Sequence, residues 1–347
     1  MNRRKFTILA ASAPVAAILV DGSALSPADA QTNADPLPSW NAGAAKTAIL
    51  NFVRAATDSS GPNFLRPEDR VATFDQDGTL WVEHPVYAQV EFAFDRVFEL
   101  APQHPEWKTT EPFKSVLSRD KAAMAQFTTK DLEAIVAQTQ TGMSTDAFAT
   151  ILANWLATAK DSRWHRPYTD LIYGPMLEVM RYLRANGFRT YIVTGGGQAF
   201  VRAYSQRVYG VAPDHVIGSA LKTKFSHDKN GRAVLIREPA LLLNNNMSGK
   251  AEDIYLFLGG RPHAAFGNST GDREMLEFTQ GNTTGPHLMM LVLHDDGARE
   301  YAYGPAQGLP NSTIGTFTQA LYDEANAKGW NVISMKHDWN RVFPFDS

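Results

Sequence analysis

The feature that most constrains the fold is a short apolar run that ends in an acidic turn. The run Arg70-Val-Ala-Thr-Phe-Asp75 leads directly into Gln76-Asp77-Gly78. A brief apolar run bounded by a turn is typical of a strand buried on both faces of a parallel sheet. Ligands of such sheets bind at the carboxyl ends of the strands. The run therefore predicts a fold class and places a candidate site at Asp75.

Strand and helix patterns alternate after residue 168. The predicted helices are Leu171–Asn186, Gln198–Val208, Lys250–Leu258, Asp272–Gln280 and Thr313–Lys328. The predicted strands are Phe188–Thr194, His263–Gly267, Leu288–His294 and Trp330–Met335, together with a hairpin over Leu221–Glu238 that turns in two residues at Asn230-Gly231. This alternation predicts an α/β fold with a Rossmann-like parallel sheet and helices on both faces.

The stretch between the first two predicted strands has only helical patterns. These patterns are Val86–Leu100, Glu111–Gln126, Thr129–Gln138 and Thr145–Ala159. We interpret residues 84–168 as an all-helical cap domain, inserted after the first strand into a core made of residues 31–83 and 169–347. Residues 31–45 are predicted to form a linker, and a helix is predicted over Ala44–Thr57.

The N-terminus is predicted to be an export signal over residues 1–30. Paired arginines, Arg3 and Arg4, precede an apolar run from Ile8 to Val20 and a small-residue pattern at Ala28-Asp29-Ala30. This order resembles a twin-arginine signal. The alternative is an uncleaved membrane anchor, although the run is short for a bilayer span, which needs roughly 20 residues. We expect a periplasmic or secreted protein with no stable membrane association after signal removal.

Composition excludes several functions. The 347 residues have a formal net charge of -3 and contain no cysteine. Disulfides, thiol catalysis and cysteine-ligated zinc are therefore excluded. Because no broad positive charge is available, we expect no nucleic-acid partner. The sequence leaves the oligomeric state open.

Asp75 and Asp77 are the strongest chemical signal. One carboxylate can attack phosphorus, a second can protonate the leaving group, and together they offer hard oxygen ligands to Mg²⁺. Asp-x-Asp-Gly also occurs in calcium loops, but an EF-hand loop needs a glutamate at its twelfth position. Counting from Asp75, that position is Val86. The calcium interpretation fails there.

From about Arg70 to His294 the chain resembles the haloacid dehalogenase-like superfamily, whose first motif is Asp-x-Asp-x-Thr after a strand. It is most similar to the branch with phosphoserine phosphatase, which has a helical cap between the first and second motifs. Val193-Thr194-Gly195-Gly196-Gly197 matches the second motif. The resemblance implies that Thr194, Gly195 and Gly196 bind phosphate oxygens. A glycine-rich turn without a ligand is the alternative.

The third and fourth motifs follow in order. Lys250 matches the family's lysine at a helix start, with Lys222 and Lys224 as rivals in the predicted hairpin. In Phe266-Gly-Asn-Ser-Thr-Gly-Asp272, Asn268 replaces the first of two usual aspartates and Asp272 keeps the second. An amide still ligates Mg²⁺ but adds no charge, so weaker metal binding is expected. Asp272 is alternatively a ligand through water, a partner of Lys250, or a helix N-cap.

The resemblance implies a Mg²⁺-dependent phosphatase that acts on a small phosphorylated substrate. Catalytic roles would fall to Asp75, Asp77, Thr194 and Lys250, and Mg²⁺ would be held by Asp75, Asp77, Asn268 and Asp272. In the implied mechanism Asp75 becomes phosphorylated, while Asp77 protonates the leaving group and then activates water.

Substrate selection is assigned to residues around the cap. Glu83 and His84 follow the first motif and are expected to reach the leaving group. Arg163 belongs to a basic, aromatic cluster, Arg163-Trp-His-Arg166, which is predicted either to bind a second anionic group or to pack at the domain hinge.

Three other functions remain open on the sequence. Phosphoanhydride hydrolysis, for example of pyrophosphate, would use the same motifs. An exported protein that binds phosphorylated ligands without turnover would not need a full set of catalytic groups. Dehalogenases of the superfamily lack the second aspartate, so Asp77 disfavours that activity.

Overall fold

The computed structural model describes residues 35–346. The predicted export signal at residues 1–30 lies outside that range. Within it, seven strands form one sheet in the order β4-β3-β2-β1-β5-β6-β7. Neighbouring strands pair in parallel except β3 and β4, which are antiparallel. The strands are β1 Val71–Phe74, β2 Arg189–Gly197, β3 Val216–His227, β4 Ala233–Leu243, β5 Ala264–Gly267, β6 Leu288–Leu293 and β7 Asn331–Ser334.

Helices connect the strands and cover both faces of the sheet, which confirms the predicted α/β fold. The first seven α-helices are α1 Ala44–Thr57, α2 Ala88–Leu100, α3 Phe113–Ser118, α4 Lys121–Met124, α5 Thr129–Gln140, α6 Thr145–Thr158 and α7 Gly174–Ala185. The others are α8 Gln198–Arg202, α9 Ser205–Tyr209, α10 Ser248–Leu258, α11 Arg273–Gln280, α12 Gln319–Lys328 and α13 Met335–Asp338.

Alternate residues of the central strands enter two separate hydrophobic cores. In β5, Ala264 and Phe266 belong to one core and Ala265 to the other. Because successive side chains of a strand point to opposite faces, a strand covered on both sides must be apolar throughout. All six residues of β6 are buried, as this requires.

Residues 84–168 contain helices α2 to α6 and no strand, which confirms the all-helical insertion. It has a small core of its own around Phe94, Val97, Trp107 and Ile135. The domain boundaries at residues 84 and 168 remain predictions.

The hairpin of β3 and β4 differs from its prediction. β3 begins at Val216 and pairs first with β2, so the hairpin continues the sheet. Five residues, 228–232, join the strands instead of two. Asp228 stabilises this longer loop by accepting hydrogen bonds from the amides of Asn230 and Arg232.

Several helix predictions were too long. The predicted helix Thr313–Lys328 begins only at Gln319, where Thr318 caps it by accepting from the Leu321 amide. Gly315, at a φ of 58°, adopts a left-handed conformation that a helix does not allow. The helix predicted over Glu111–Gln126 is divided at Arg119, which also has a positive φ.

The described part of the predicted linker is packed against the fold. Leu37 and Trp40 are buried, and Ser39 donates to Glu178 of α7. The Trp40 ring contacts Trp339 edge to face. The segment was predicted to be a linker from its overall composition, which does not show that Leu37 and Trp40 pack into the fold. Across residues 35–346, none of the helices combines the length and the apolar character that a bilayer span requires.

We expect Phe92→Ala to lower the free energy of unfolding by about 3–5 kcal/mol, as measured by urea denaturation. Phe92 is fully buried, and its ring packs against Phe148, Trp155 and Phe200. Phe92 therefore joins the inserted helices to α8, the helix that follows β2. Phe225→Ala is the control, because that side chain is largely exposed. Equal losses in the two variants would contradict this role.

Candidate active site

Three neighbouring strands bring the candidate residues together. β2, β1 and β5 lie side by side, and Asp75 and Asn268 follow the last residues of β1 and β5 while Thr194 lies near the end of β2. The Asp75 amide donates to the Phe266 carbonyl (2.8 Å), which extends the ladder one residue beyond β1. Residues distant in sequence therefore meet at one edge of the sheet.

Lys250 is the centre of the site. Its Nζ donates to Asp75 Oδ1 (2.5 Å), to Asp272 Oδ1 (2.6 Å) and to the Val193 carbonyl (3.0 Å). All three ammonium protons thus have an acceptor. The side chain is buried, whereas its rivals Lys222 and Lys224 are not. The structure places Lys250 where the third motif predicts it.

One ammonium between two carboxylates leaves the buried cluster with excess negative charge. Burial and the Asp272 carboxylate raise the pKa of Asp75 to about 8, against the opposing effect of Lys250. Burial lowers the pKa of Lys250, but Asp272 and Asp75 outweigh it and hold that pKa above its ordinary value. Both carboxylates stay ionised near neutral pH only if an additional cation is bound; otherwise one of them takes up a proton.

Asp77 is oriented by a tryptophan and a tight turn. Trp81 Nε1 donates to Asp77 Oδ1 (2.7 Å), and the Gly78 amide donates to the Trp81 carbonyl (2.9 Å). Burial raises the pKa of Asp77 to about 6. Gly78 has a φ of 71°, and a Cβ there would lie 2.0 Å from Asn268 Nδ2. This turn accepts only glycine.

Asn268 is held by two side chains of the first motif region. Its Nδ2 donates to Glu83 Oε1 (2.7 Å), and its Oδ1 accepts from Thr79 Oγ1 (3.3 Å). Tyr303 also donates to Glu83 Oε1 (2.8 Å). Burial raises the pKa of Glu83 well above its ordinary value. The asparagine therefore lies beside a buried carboxyl group, which sequence reasoning assigned only to substrate binding.

Asp272 holds Lys250 and the loop that follows β5 in place. Its Oδ1 accepts from Lys250, and its Oδ2 accepts from the amides of Asn268 and Ser269 (both 3.0 Å). Of the alternatives for this residue, the geometry favours the partner of Lys250 that also fixes the loop after β5. Its role as a metal ligand remains a prediction.

The glycine turn after Thr194 is already engaged by protein groups. The Gly196 amide donates to Thr194 Oγ1 (3.0 Å), and the Gly197 amide donates to Gln89 Oε1 of α2 (2.6 Å). A Cβ at Gly197 would lie 2.8 Å from Gln89 Nε2, so the glycine permits this close approach. Sequence reasoning missed Gln89, because a polar residue on a helix carries no sign of its distant partner. Gly195 and Gly196 line the cavity that faces Asp75.

Two of the predicted substrate residues lie elsewhere. His84 stacks on Tyr303 (3.7 Å between ring centroids), and its Nε2 contacts Ser312 and the Ile314 carbonyl. Arg163 donates to the carbonyls of Glu300 and Ala298 and lies over the Trp164 and Tyr301 rings. Neither side chain lines the cavity. The packing alternative for the Arg163 cluster is the one that the structure favours.

His294 is a buried residue that contacts the first motif, and the sequence analysis did not identify it. His294 Nε2 lies 2.8 Å from the Gly78 carbonyl oxygen, and Nδ1 lies 3.0 Å from Glu300 Oε2. A carbonyl only accepts, so Nε2 must donate, and either the ring or Glu300 carries a further proton. His294 follows β6, and a polar residue at the carboxyl end of a buried strand is the signal that points to it.

The cavity over the site has a volume of about 850 Å³. Asp75, Asp77 and Lys250 lie on its lining, which is completed by α2, α5 and α6 and by the β3–β4 hairpin. The inserted helices and the hairpin meet directly, since the Arg237 amide donates to the Met143 carbonyl and the Gly142 amide to the Arg237 carbonyl (both 2.9 Å). The cavity is far larger than a phosphoryl group and has room for a leaving group.

The oxygen donors at the site suit a magnesium ion. Asp75, Asp77 and the Asn268 amide supply hard oxygen atoms beside a buried excess of negative charge, which a divalent cation would offset. Within residues 35–346, no cluster of three or more His, Asp or Glu side chains is placed to hold a metal ion. The predicted ligand set of Asp75, Asp77, Asn268 and Asp272 includes three carboxylates, and these three do not form such a cluster, so the metal site remains a prediction.

Comparisons with known proteins agree with the geometry. A sequence model described as haloacid dehalogenase-like hydrolase matches residues 72–277, which is more than half of the chain. No curated protein matches.

Solved structures of similar fold include two proteins of unknown function. The one from Anaerococcus prevotii DSM 20548 is 14% identical with a TM-score of 0.48, over 73% of this chain and 86% of that one. The one from Bordetella pertussis Tohama I is 17% identical with a TM-score of 0.44, over 76% and 97%. A phosphoserine phosphohydrolase-like protein from Francisella tularensis subsp. tularensis SCHU S4 is 12% identical with a TM-score of 0.37, over 65% and 88%.

The fold is an α/β sheet with two aspartates after its central strand and a lysine that bridges two carboxylates beside them. The family match extends from β1 through α10 to α11 and so includes each of these residues. The chain belongs to the haloacid dehalogenase-like hydrolase family.

We expect His294→Phe to lower the free energy of unfolding by about 2 kcal/mol or more, as measured by urea denaturation. Phenylalanine retains the ring that stacks on Tyr303 but leaves Glu300 and the Gly78 carbonyl without their partner. His287→Phe is the control, because His287 is exposed. Adding Glu300→Leu to His294→Phe should recover part of the loss. No recovery would contradict the paired role.

Proposed function

We propose that this hydrolase is a Mg²⁺-dependent phosphatase that acts on small phosphomonoesters through an aspartyl-phosphate at Asp75. The observation that carries the proposal is the bridge from Lys250 to Asp75 and Asp272 at the base of a large cavity. A buried ammonium in this position fixes the attacking carboxylate and offsets charge on a phosphoryl group. Phosphoryl transfer depends mainly on such positioning and charge compensation.

Asp77 fits the role of the acid that serves the leaving group. It lines the same cavity as Asp75, and Trp81 fixes one of its oxygen atoms. Because burial raises the pKa of Asp77 to about 6, its carboxyl group holds a proton more readily than an exposed aspartate does near neutral pH. It can donate that proton to the departing oxygen and then accept one from water.

A metal ion would be held by the Asp75 carboxylate, the backbone carbonyl of Asp77 and the Asn268 amide oxygen. When bound, Mg²⁺ supplies positive charge that orients the phosphoryl oxygens and offsets the excess negative charge of the carboxylates. Thr194 and the amides of the turn after it would hold the remaining phosphoryl oxygens. Since Gln89 Oε1 occupies the Gly197 amide, this side chain would have to move for that amide to bind substrate.

We expect the wild-type protein to release phosphate from members of a panel of phosphomonoesters, with Mg²⁺ required and EDTA inhibiting. Asp75→Asn should lower turnover by at least about a thousandfold, because the nucleophile is lost. Affinity for a phosphorylated ligand, measured by calorimetry, should remain. The matched control is Asp214→Asn, an exposed aspartate away from the cavity.

Other results would identify a different function. Preferential release from pyrophosphate would indicate an anhydride hydrolase. Ligand binding without phosphate release, equal in wild-type protein and Asp75→Asn, would indicate a binding protein. No release from any compound, with no effect of EDTA, would overturn the catalytic proposal.

We further propose that the protein is exported and acts in the periplasm or outside the cell. Support comes from the paired arginines, the apolar run and the small-residue pattern before Gln31. We expect Arg3→Lys with Arg4→Lys to retain the protein in the cytoplasm. N-terminal mass spectrometry of the exported protein should give a chain that begins at Gln31. A full-length chain in the membrane fraction would support the anchor alternative instead.

A further inference from the structure

Arg237 is a buried cation on the cavity wall, away from the reacting groups. It belongs to β4, and only 8% of the residue is exposed. Its Nε donates to the Gln140 carbonyl (2.7 Å), and its guanidinium group lies 3.8 Å from the centre of the Phe148 ring. These contacts fix the plane of the guanidinium group between the hairpin and the inserted helices.

Arg237 has no charged partner in the described part of the chain. No carboxylate of residues 35–346 lies within ion-pair distance of it, and its Nη1 and Nη2 donate to no acceptor of these residues. Burial lowers the pKa of Arg237 to about 10, and no neighbouring acid opposes that effect. Arg232 of the same hairpin is different, because it is exposed and paired with Asp146 and Asp228.

A buried charge without a counter-charge is costly, so its retention needs a reason. The surrounding wall is apolar, with Val136, Phe148 and Leu235 on the lining. Low polarity strengthens an ionic hydrogen bond to any anion that enters. The free edge of a guanidinium group matches a carboxylate or phosphate through two parallel hydrogen bonds.

The other basic residues on the cavity lining each have an acidic neighbour, which is Asp75 and Asp272 for Lys250 and Asp214 for Arg202. Lys250 bonds to Asp75 and Asp272, and Arg202 donates to the Val216 carbonyl. The acidic lining residues are the carboxyl groups of the reaction site and Glu133, which is exposed. Among the described residues of the cavity lining, Arg237 is thus the cation that has no acidic neighbour.

We propose that Arg237 binds a second oxyanion, a carboxylate or a phosphate, carried by the leaving group of the substrate. The inference rests on the proposed phosphatase function, because it assigns the phosphoryl group to the Asp75 end of the cavity. The substrate class is then a phosphomonoester with a distal acidic group. The apolar residues of the lining, such as Val136 and Phe148, suit a hydrocarbon portion that joins the two acidic groups.

The test uses a chain-length series of ω-phosphooxyalkanoic acids, each paired with its terminal amide, and the corresponding α,ω-alkanediol bisphosphates. For the length that spans the cavity, the acid or the bisphosphate should have a KM at least about tenfold lower than the amide. Whichever of the two is favoured identifies the oxyanion. Arg237→Gln should abolish this preference and leave kcat/KM for the amide within about twofold.

Two variants separate recognition from structure. Arg237→Lys keeps the charge and should retain part of the preference, whereas a purely structural role for the guanidinium group predicts equal losses for acid and amide. Arg232→Gln, the matched control on the same hairpin, should keep the wild-type preference. A preference that survives Arg237→Gln, or no preference in the wild-type protein at any length, would overturn the inference.

A binding measurement keeps the test independent of turnover. In an Asp75→Asn background, calorimetry should show tighter binding of the acid than of the amide, by the same factor as the KM values. Adding Arg237→Gln should remove this difference in affinity. If the wild-type protein hydrolyses none of the compounds but this difference is present, the phosphatase proposal fails and the oxyanion site stands. If hydrolysis occurs and acid and amide bind equally, the phosphatase proposal stands and the oxyanion site fails.

Discussion

The ion cluster of Lys250, Asp75 and Asp272 is the interaction on which the rest of the site depends. Its members come from α10, the end of β1 and the start of α11, and the ammonium uses all three protons within it. Breaking a buried pair by removing one partner costs about 3–5 kcal/mol, because a charge is left uncompensated. The cluster therefore joins three segments of the fold and at the same time fixes the carboxylate of Asp75, the proposed nucleophile.

The excess negative charge of the site explains its immediate surroundings. Asn268 stands where the family's common motif has a carboxylate, yet Glu83 lies within hydrogen-bond distance of its amide. A carboxyl group is thus present nearby, although it belongs to a different segment of chain. Glu83 is held by Tyr303, and His294 fixes the Gly78 carbonyl beside it. The first motif is therefore supported by residues that follow β6.

The cavity is bounded by the Asp75 site and by a wall that includes Arg237. The inserted helices and the β3–β4 hairpin form that wall together, through the backbone pairing of Arg237 with Gly142 and Met143. The hairpin, which by sequence belongs to the core, thus contributes to the cover over the site. On the two proposals, the strand ends at Asp75 would carry the reaction, and the hairpin with the inserted helices would carry substrate recognition at Arg237.

The sequence alone determined the sheet, the helical insertion and the set of candidate site residues. Buried strands must be apolar throughout, and their carboxyl ends must hold the polar groups, so β1 and Asp75 are visible in local pattern. Partners across the fold are not encoded locally. Gln89 on the Gly197 amide, His294 behind Gly78, and the positions of His84 and Arg163 away from the cavity were decided by tertiary packing. The residue type fixes which hydrogen bonds a polar side chain can make, but its partner depends on which groups the folded chain brings near it.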